Sequence, residues 1–105
     1  MSGISTHVLD LGAGAPAAGI SVRLLRDKDE IGSAVTNSDG RCTSLVRNGE
    51  SLNEGVYCLI FDIAARYPQS FYPEIAISFR VTDSSSHYHV PVLLSPFGYT
   101  TYRGS

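Results

Sequence analysis

Apolar and polar residues alternate along most of this chain. Residues 75–81 show the pattern clearly, because Ile, Ile, Phe and Val occupy every second position. A period of two places successive side chains on opposite faces of a β-strand. Clusters of Gly, Asn, Asp, Ser and Pro separate the alternating segments and predict turns between them. The predicted strands are residues 5–11, 20–26, 31–36, 41–45, 56–61, 75–81, 87–94 and 98–102.

One segment has a different pattern. Residues 62–67 start with Asp62, a favourable helix N-cap, and contain two consecutive alanines. Pro68 disfavours helical backbone at the residue before it, so it ends the segment. We therefore expect one short helix between two strands. The other segments, about eight short strands with regularly spaced turns, predict an all-β sandwich or barrel.

The length of the chain limits the number of domains. With 105 residues it fits a single domain, which we expect to span residues 1–105. The apolar content of 43% is ordinary for a globular protein with one core. Two cysteines, Cys42 and Cys58, are too few for a disulfide framework, and we interpret them as small apolar residues in a reduced protein.

Charge and hydropathy argue against several classes of partner. The net charge is −2 and no basic stripe is present, so nucleic acid is not an expected partner. The longest apolar run, residues 56–63, is far shorter than the ~20 residues of a membrane helix, so no membrane association is expected. The first residues enter the alternating pattern directly, without a signal-peptide pattern. We therefore expect a cytoplasmic location.

The three histidines are the first candidates for chemistry. His7 lies within a predicted strand, and His87 and His89 are two positions apart in another, so the latter two share a face. A single histidine in a strand is more often structural than catalytic. The pair could also hold a metal ion, but the sequence places no third ligand near it. We therefore predict no metal site.

Arg41 and the chain end each allow two interpretations. Arg41 follows the turn Asn-Ser-Asp-Gly at residues 37–40, either as a solvated side chain or as a fixed guanidinium that recognises planar groups through paired hydrogen bonds. Residues 98–105 stay β-prone almost to the end, although chain ends usually fray unless they are held. The end is either a frayed polar tail or an ordered group that brings a tyrosine, an arginine and a hydroxyl together.

Three segments together resemble one known family. They are residues 4–10 with the sequence ISTHVLD, residues 36–41 with TNSDGR, and residues 87–105 with HYHVPVLLSPFGYTTYRGS. In their order and in the length of the chain they are similar to the 5-hydroxyisourate hydrolases, the enzymatic relatives of transthyretin. The closing Tyr-Arg-Gly-Ser is the most discriminating element, because transthyretin diverges there.

The resemblance implies a fold, an assembly and a set of site residues. The fold is a transthyretin-like sandwich of two four-stranded sheets with one short helix, and the assembly is a homotetramer with sites in a channel between dimers. His87 is structural in this interpretation. The catalytic residues are His7, Arg41, His89 and Ser105, and the substrate-binding residues are His7, Arg41, His89, Tyr102, Arg103, Gly104 and Ser105.

The resemblance also implies a reaction. The substrate, 5-hydroxyisourate, is hydrolysed to 2-oxo-4-hydroxy-4-carboxy-5-ureidoimidazoline in urate degradation, without a metal or an organic cofactor. A histidine activates the water, with His7 favoured over His89, and Arg41 stabilises the oxyanion. One alternative is a non-enzymatic, transthyretin-like carrier of a small aromatic ligand, which the fold alone would not exclude. Another is an interaction module that uses exposed sheet edges.

Overall fold

Strands make up the regular structure of this protein. The computed structural model describes residues 3–105, and this part of the chain forms nine strands. They are β1 (Gly3–Asp10), β2 (Ala15–Pro16), β3 (Ser21–Arg26), β4 (Asp29–Val35), β5 (Arg41–Cys42), β6 (Gly55–Asp62), β7 (Glu74–Val81), β8 (His87–Ser95) and β9 (Gly98–Thr101).

The strands form two sheets. One sheet has the order β2-β1-β8-β9, with β5 also paired to β1, and the other has the order β4-β3-β6-β7. β1 and β8 pair in parallel, although one opens and the other nearly closes the described chain. The other strand pairings of the described chain are antiparallel. The predicted all-β sandwich of two sheets is therefore confirmed.

The hydrophobic core lies between the two sheets. Alternate side chains of each strand point into it, as a period of two requires. In β6 the buried side chains are Tyr57, Leu59 and Phe61, and in β1 they include Ile4 and Val8. Full burial of a side chain of this size stabilises the fold by roughly 1.5–3 kcal/mol. The same alternation turns the remaining side chains of each sheet outward.

The sheet that contains β1 has five strands, not the predicted four, because two short strands share one of its edges. β2 and β5 have two residues each and pair with successive parts of β1. A strand of two residues shows no alternation, and β2 lies where the sequence predicts a loop. β5 ends at Cys42 instead of residue 45, although one more hydrogen bond continues the contact, from the Leu45 amide to the Ile4 carbonyl oxygen (3.0 Å).

The predicted short helix is wrong. The described part of the chain contains no helix, and residues 63–67 form a single turn. The Tyr67 amide donates to the Ile63 carbonyl oxygen at 2.7 Å, and the Asp62 carboxylate accepts from the Ala65 amide at 3.3 Å, as a helix N-cap would. β6 already includes Asp62, so too few residues remain to repay the cost of helix nucleation.

The lack of helices in the described residues also answers whether a helix of this part of the chain could span a membrane. The part of the chain that the structure describes has no helix with the length and apolar character needed to cross a membrane.

We predict that Gly32→Ala strongly destabilises the sandwich. A Cβ atom at Gly32 would overlap the carbonyl oxygen of Leu45, a backbone atom that no rotamer change can move. Overpacking of this kind costs about 1–3 kcal/mol. In a domain of about 100 residues, a loss of ~2 kcal/mol lowers the thermal midpoint by roughly 8–16 °C. Ser33→Ala, at the next and exposed position of β4, is the control and should change the midpoint little. Equal midpoints for the two variants would contradict the prediction.

Candidate active site

The outer face of the five-stranded sheet carries two of the predicted catalytic histidines. In the parallel register of β1 and β8, Ser5 lies opposite His89 and His7 lies opposite Pro91. Because Ile4 on β1 points into the core, Ser5 and His7 point outward, on the same face as His89. Strand spacing and rise place the backbones of His7 and His89 about 8 Å apart.

The turn before β5 brings Arg41 to the same face. The side-chain oxygen of Asn37 accepts hydrogen bonds from the amides of Asp39 (2.9 Å) and Arg41 (3.0 Å). Gly40 has a φ of 76°, and a Cβ atom there would overlap a carbonyl oxygen of β1. The tight turn therefore allows β5 to pair with β1 so that Arg41 lies opposite His7.

Hydrogen bonding determines the tautomer of His7. Its Nε2 donates to the carbonyl oxygen of Asp39 at 2.8 Å, and a carbonyl oxygen can only accept. When His7 is neutral, its proton is therefore on Nε2 and its lone pair is on Nδ1. His7 can take up a proton only at Nδ1.

The surroundings of His89 favour its uncharged form. Its Nδ1 is 2.8 Å from the hydroxyl oxygen of Ser5. Burial lowers the pKa of His89 below the ordinary imidazole value, and the positive charge of Arg41 lowers it further, as do His7 and His87. His89 is therefore uncharged at neutral pH.

The chain end is held against β8. The Gly104 amide donates to the His89 carbonyl oxygen at 2.8 Å, and the Arg103 guanidinium lies 4.7 Å from the centre of the Tyr88 ring. A Cβ atom at Gly104 would overlap the imidazole of His89, so only glycine allows this approach. The contacts place Ser105 in the lining of a cleft that also contains His89.

This cleft has a volume of about 290 Å³, and part of the predicted site lines it. It contains three of the four predicted catalytic residues, and His7 borders it through its pairing with Arg41. Tyr102 and Arg103 instead line a neighbouring cavity of about 290 Å³, between β7 and the β8–β9 hairpin. The residues that line the cleft are Ser5, Thr6, Arg41, Cys42, Thr43, His87, His89 and Ser105.

Four polar residues that line the cleft were not predicted as site residues: Ser5, Thr6, Thr43 and His87. The sequence gives no signal for Thr43, two positions after Arg41, or for Thr6, which is fully buried. Ser5 is two residues before His7 on the same strand, so alternation alone places it on the same face as that histidine. Its position between His87 and His89 follows only from the pairing of β1 with β8.

The remaining candidate groups of the described chain are less suited to catalysis. Within residues 3–105, no three His, Cys, Asp or Glu side chains are grouped so that they could hold a metal ion. Both cysteines are free thiols, and burial raises the pKa of Cys42 to about 11. A larger cavity of about 490 Å³ lies where β1 ends, beside Tyr67 and Pro96, but no histidine lines it.

The groups around the cleft suit the hydrolysis of an acyl bond in a planar, polar molecule. His7 could act as a base, Arg41 carries a permanent positive charge with several N–H donors, and His89 offers a second imidazole for proton transfer. Ser105 adds a hydroxyl that can orient a substrate or a water molecule. The cleft and its border therefore combine a positive charge with groups that can donate or accept protons. A surface with a purely structural role requires neither.

Known proteins are similar in sequence to this chain. 5-Hydroxyisourate hydrolase from Mus musculus is 41% identical over 99% of this chain and 96% of its own. The Uric acid degradation bifunctional protein TTL from Arabidopsis thaliana is 40% identical over 97% of this chain, which spans 37% of the length of that longer protein.

Solved structures share the fold. 5-Hydroxyisourate hydrolase from Klebsiella pneumoniae has a TM-score of 0.88 and 35% identity, covering 99% of this chain and 100% of its own. Sea bream transthyretin, in complex with thyroxine, has a TM-score of 0.85 and 26% identity, covering 96% of this chain and 93% of its own. The model of the HIUase/Transthyretin family matches residues 4–104. The chain therefore belongs to the HIUase/Transthyretin family.

Proposed function

We propose that this protein hydrolyses 5-hydroxyisourate to 2-oxo-4-hydroxy-4-carboxy-5-ureidoimidazoline in urate degradation. The observation that carries the proposal is the meeting of Arg41, His89 and Ser105 in one cleft, with His7 beside it. Relatives that share about 40% of the sequence over nearly the whole chain are named as hydrolases of this compound. Both lines of support favour the enzyme over the carrier.

In the proposed reaction His7 activates the water. Its free lone pair is on Nδ1, because Nε2 donates to the Asp39 carbonyl oxygen. Nδ1 takes a proton from the water as the oxygen attacks the carbonyl carbon of the cyclic amide. A positioned base of this kind accelerates a reaction by roughly 10²–10⁴-fold.

Arg41 stabilises the oxyanion that forms in this attack. Its guanidinium is always charged and can donate two parallel hydrogen bonds to a planar group. The turn that holds the Arg41 amide fixes the backbone from which the side chain extends. Stabilisation by a fixed charge is effective because the group does not have to reorganise during the reaction.

The tetrahedral intermediate collapses when the ring C–N bond breaks. The electron pair of the bond goes to the nitrogen, which takes a proton from Nε2 of His89 while Nδ1 of the same ring takes up another. The carbonyl carbon becomes a carboxyl group, which loses its proton to water to give the carboxylate of the product, and His7 also releases its proton to water. Ser105 orients the substrate or the attacking water. Gly104 and the Arg103–Tyr88 contact hold Ser105 in place, whereas Tyr102 lines the neighbouring cavity.

The decisive assay is the loss of 5-hydroxyisourate absorbance when the compound is generated in place by urate oxidase. The proposed enzyme accelerates this loss, whereas a carrier binds the compound and leaves the rate unchanged. Equal rates with and without the protein would contradict the proposed function.

We also propose that the protein is a cytoplasmic homotetramer. The cleft volume of about 290 Å³ is at the lower limit for a pocket that binds a small molecule, and a second subunit would deepen it. Large exposed apolar side chains support an interface, with Phe97 80% and Phe71 65% accessible in the single chain. The free thiols of Cys42 and Cys58 fit a reducing compartment.

The assembly can be tested by mass. Sedimentation equilibrium or light scattering should give about four times the subunit mass of 11.3 kDa. A fully active monomer would contradict a site completed by a second subunit.

Replacing either histidine should remove most of the activity. We expect His7→Asn and His89→Asn each to lower kcat by about 10²-fold or more, the scale of a lost acid–base group. Both side chains point outward, so the thermal midpoint should change by only a few degrees. A kcat close to the wild-type value in a folded His7→Asn variant would exclude His7 as the base.

The chain end should be necessary for turnover but not for folding. A methyl group at Gly104 would push the His89 imidazole, and a displacement of about 1 Å can cost on the order of 10²-fold in rate. Gly104→Ala and deletion of residues 102–105 should both lower kcat by about that factor and leave the thermal midpoint nearly unchanged. Gly98→Ala, where a Cβ atom meets only ordinary contacts, is the matched control. Full activity after the deletion would show that the end is only a tail.

A further inference from the structure

The Ser5 hydroxyl lies between two imidazoles. Its oxygen is 2.7 Å from Nε2 of His87 and 2.8 Å from Nδ1 of His89. Ser5 is only 8% accessible, so water has little access to the hydroxyl. The strand register explains the arrangement, because Ser5 lies opposite His89 and Gly3 lies opposite His87.

A hydroxyl has one hydrogen, and this couples the two rings. If Ser5 donates to Nδ1 of His89, then Nε2 of His87 must carry a proton and donate to Ser5. His89 then has its own proton on Nε2, the nitrogen that does not face Ser5. If Ser5 instead donates to Nε2 of His87, then His89 must donate to Ser5, and its proton is on Nδ1. If both rings donated, the hydrogen of a buried hydroxyl would have neither ring as an acceptor, which is unfavourable.

We propose that Ser5 is a positioning residue that connects His87 to His89 as a proton relay for the leaving nitrogen. This inference rests on the proposed hydrolase function and adds two residues to it. His87, which the family resemblance implies is structural, becomes the entry point of the relay, and Ser5 orders the tautomer of His89.

The relay conserves every proton. Water protonates Nδ1 of His87, the Nε2 proton of His87 moves to the Ser5 oxygen, and the Ser5 hydrogen moves to Nδ1 of His89. His89 then gives its Nε2 proton to the nitrogen as the C–N bond breaks. To reset, the Nδ1 proton of His89 returns through Ser5 to His87, His87 releases its Nδ1 proton to water, and Nε2 of His89 takes up a proton.

The environments of the two rings fit these roles. His89 is half-buried and uncharged at neutral pH, so a proton must reach it from elsewhere before it can act as an acid. His87 is exposed, and its register partner Gly3 has no side chain; a Cβ atom there would lie 3.2 Å from Nδ1 of His87. The nitrogen at which the relay starts is therefore left uncovered. The titratable or charged groups on the cleft side of His89 are His7 on β1, Arg41 and Cys42 on β5, and His87 on β8. On the side of the neighbouring cavity they are Arg80 on β7, Tyr88 on β8, and Tyr102 and Arg103 of the chain end.

The first test needs no substrate, so it is independent of the proposed function. Long-range ¹H–¹⁵N spectra of the intact protein report which ring nitrogen carries the proton. In the wild-type background, His89 should show one dominant neutral tautomer, and its ¹⁵N shifts should change when His87 is replaced by Gln. Ser5→Ala should give mixed tautomers and His89 shifts that no longer depend on residue 87, and Ser5→Thr should restore the wild-type spectra. Identical spectra for the wild type and Ser5→Ala would overturn the proposal.

The second test measures kcat, KM and the pH profile. Ser5→Ala should lower kcat about tenfold with KM changed less than about twofold, and Ser5→Thr should recover most of the rate. Because the relay takes its proton from water, the wild-type kcat should fall at alkaline pH. His87→Gln keeps a donor for Ser5 but cannot relay a proton, so its kcat should be lower and should not show this alkaline decline. Ser33→Ala, an exposed strand serine in the other sheet, should leave these values unchanged.

Two kinetic outcomes would overturn the relay. If Ser5→Ala raises KM and leaves kcat unchanged, the hydroxyl contacts the substrate directly. If Ser5→Ala and His87→Gln both keep the wild-type kcat and pH profile, the hydrogen bonds serve only the structure. An inactive wild-type protein whose spectra still show the coupling would refute the hydrolase proposal while leaving the link between the rings established.

Discussion

The parallel pairing of β1 with β8 is the constraint on which the rest of the site depends. Burial of Ile4 and Val8 on one strand, and of Val90 on the other, fixes the register, because a slip by one residue would turn every side chain to the opposite face. The same register that closes the core therefore places His7 and His89 on one outer face, two register positions apart. The histidines owe their position to hydrophobic burial on the other face of the sheet.

Close backbone approach completes the site from two directions. Gly40 lets the turn before β5 approach β1 and brings Arg41 opposite His7, whereas Gly104 lets the chain end lie against the ring of His89. A side chain at either glycine would overlap a neighbour. A cation and a hydroxyl thus reach the imidazoles through contacts that are available only to a residue without Cβ.

The fold itself does not distinguish between catalysis and carriage. A transthyretin that was solved with thyroxine shares this sandwich with a TM-score of 0.85, and a 5-hydroxyisourate hydrolase shares it with a TM-score of 0.88. The difference has to come from side chains on the outer face and from the chain end. Here burial, and then the positive charge of Arg41, lower the pKa of His89, which favours the uncharged imidazole at neutral pH.

Periodicity by itself determined the longer strands, the all-β sandwich and the residues of one strand that share a face, because alternation is a local property of the backbone. It failed for residues 62–67, where local capping favours a helix but β6 includes the first of these residues. The family resemblance identified Arg41 and Ser105 as candidates without showing that they meet. Only the tertiary structure placed them in one cleft and put Ser5 against His89, because core packing sets the pairing of strands that lie far apart in the chain.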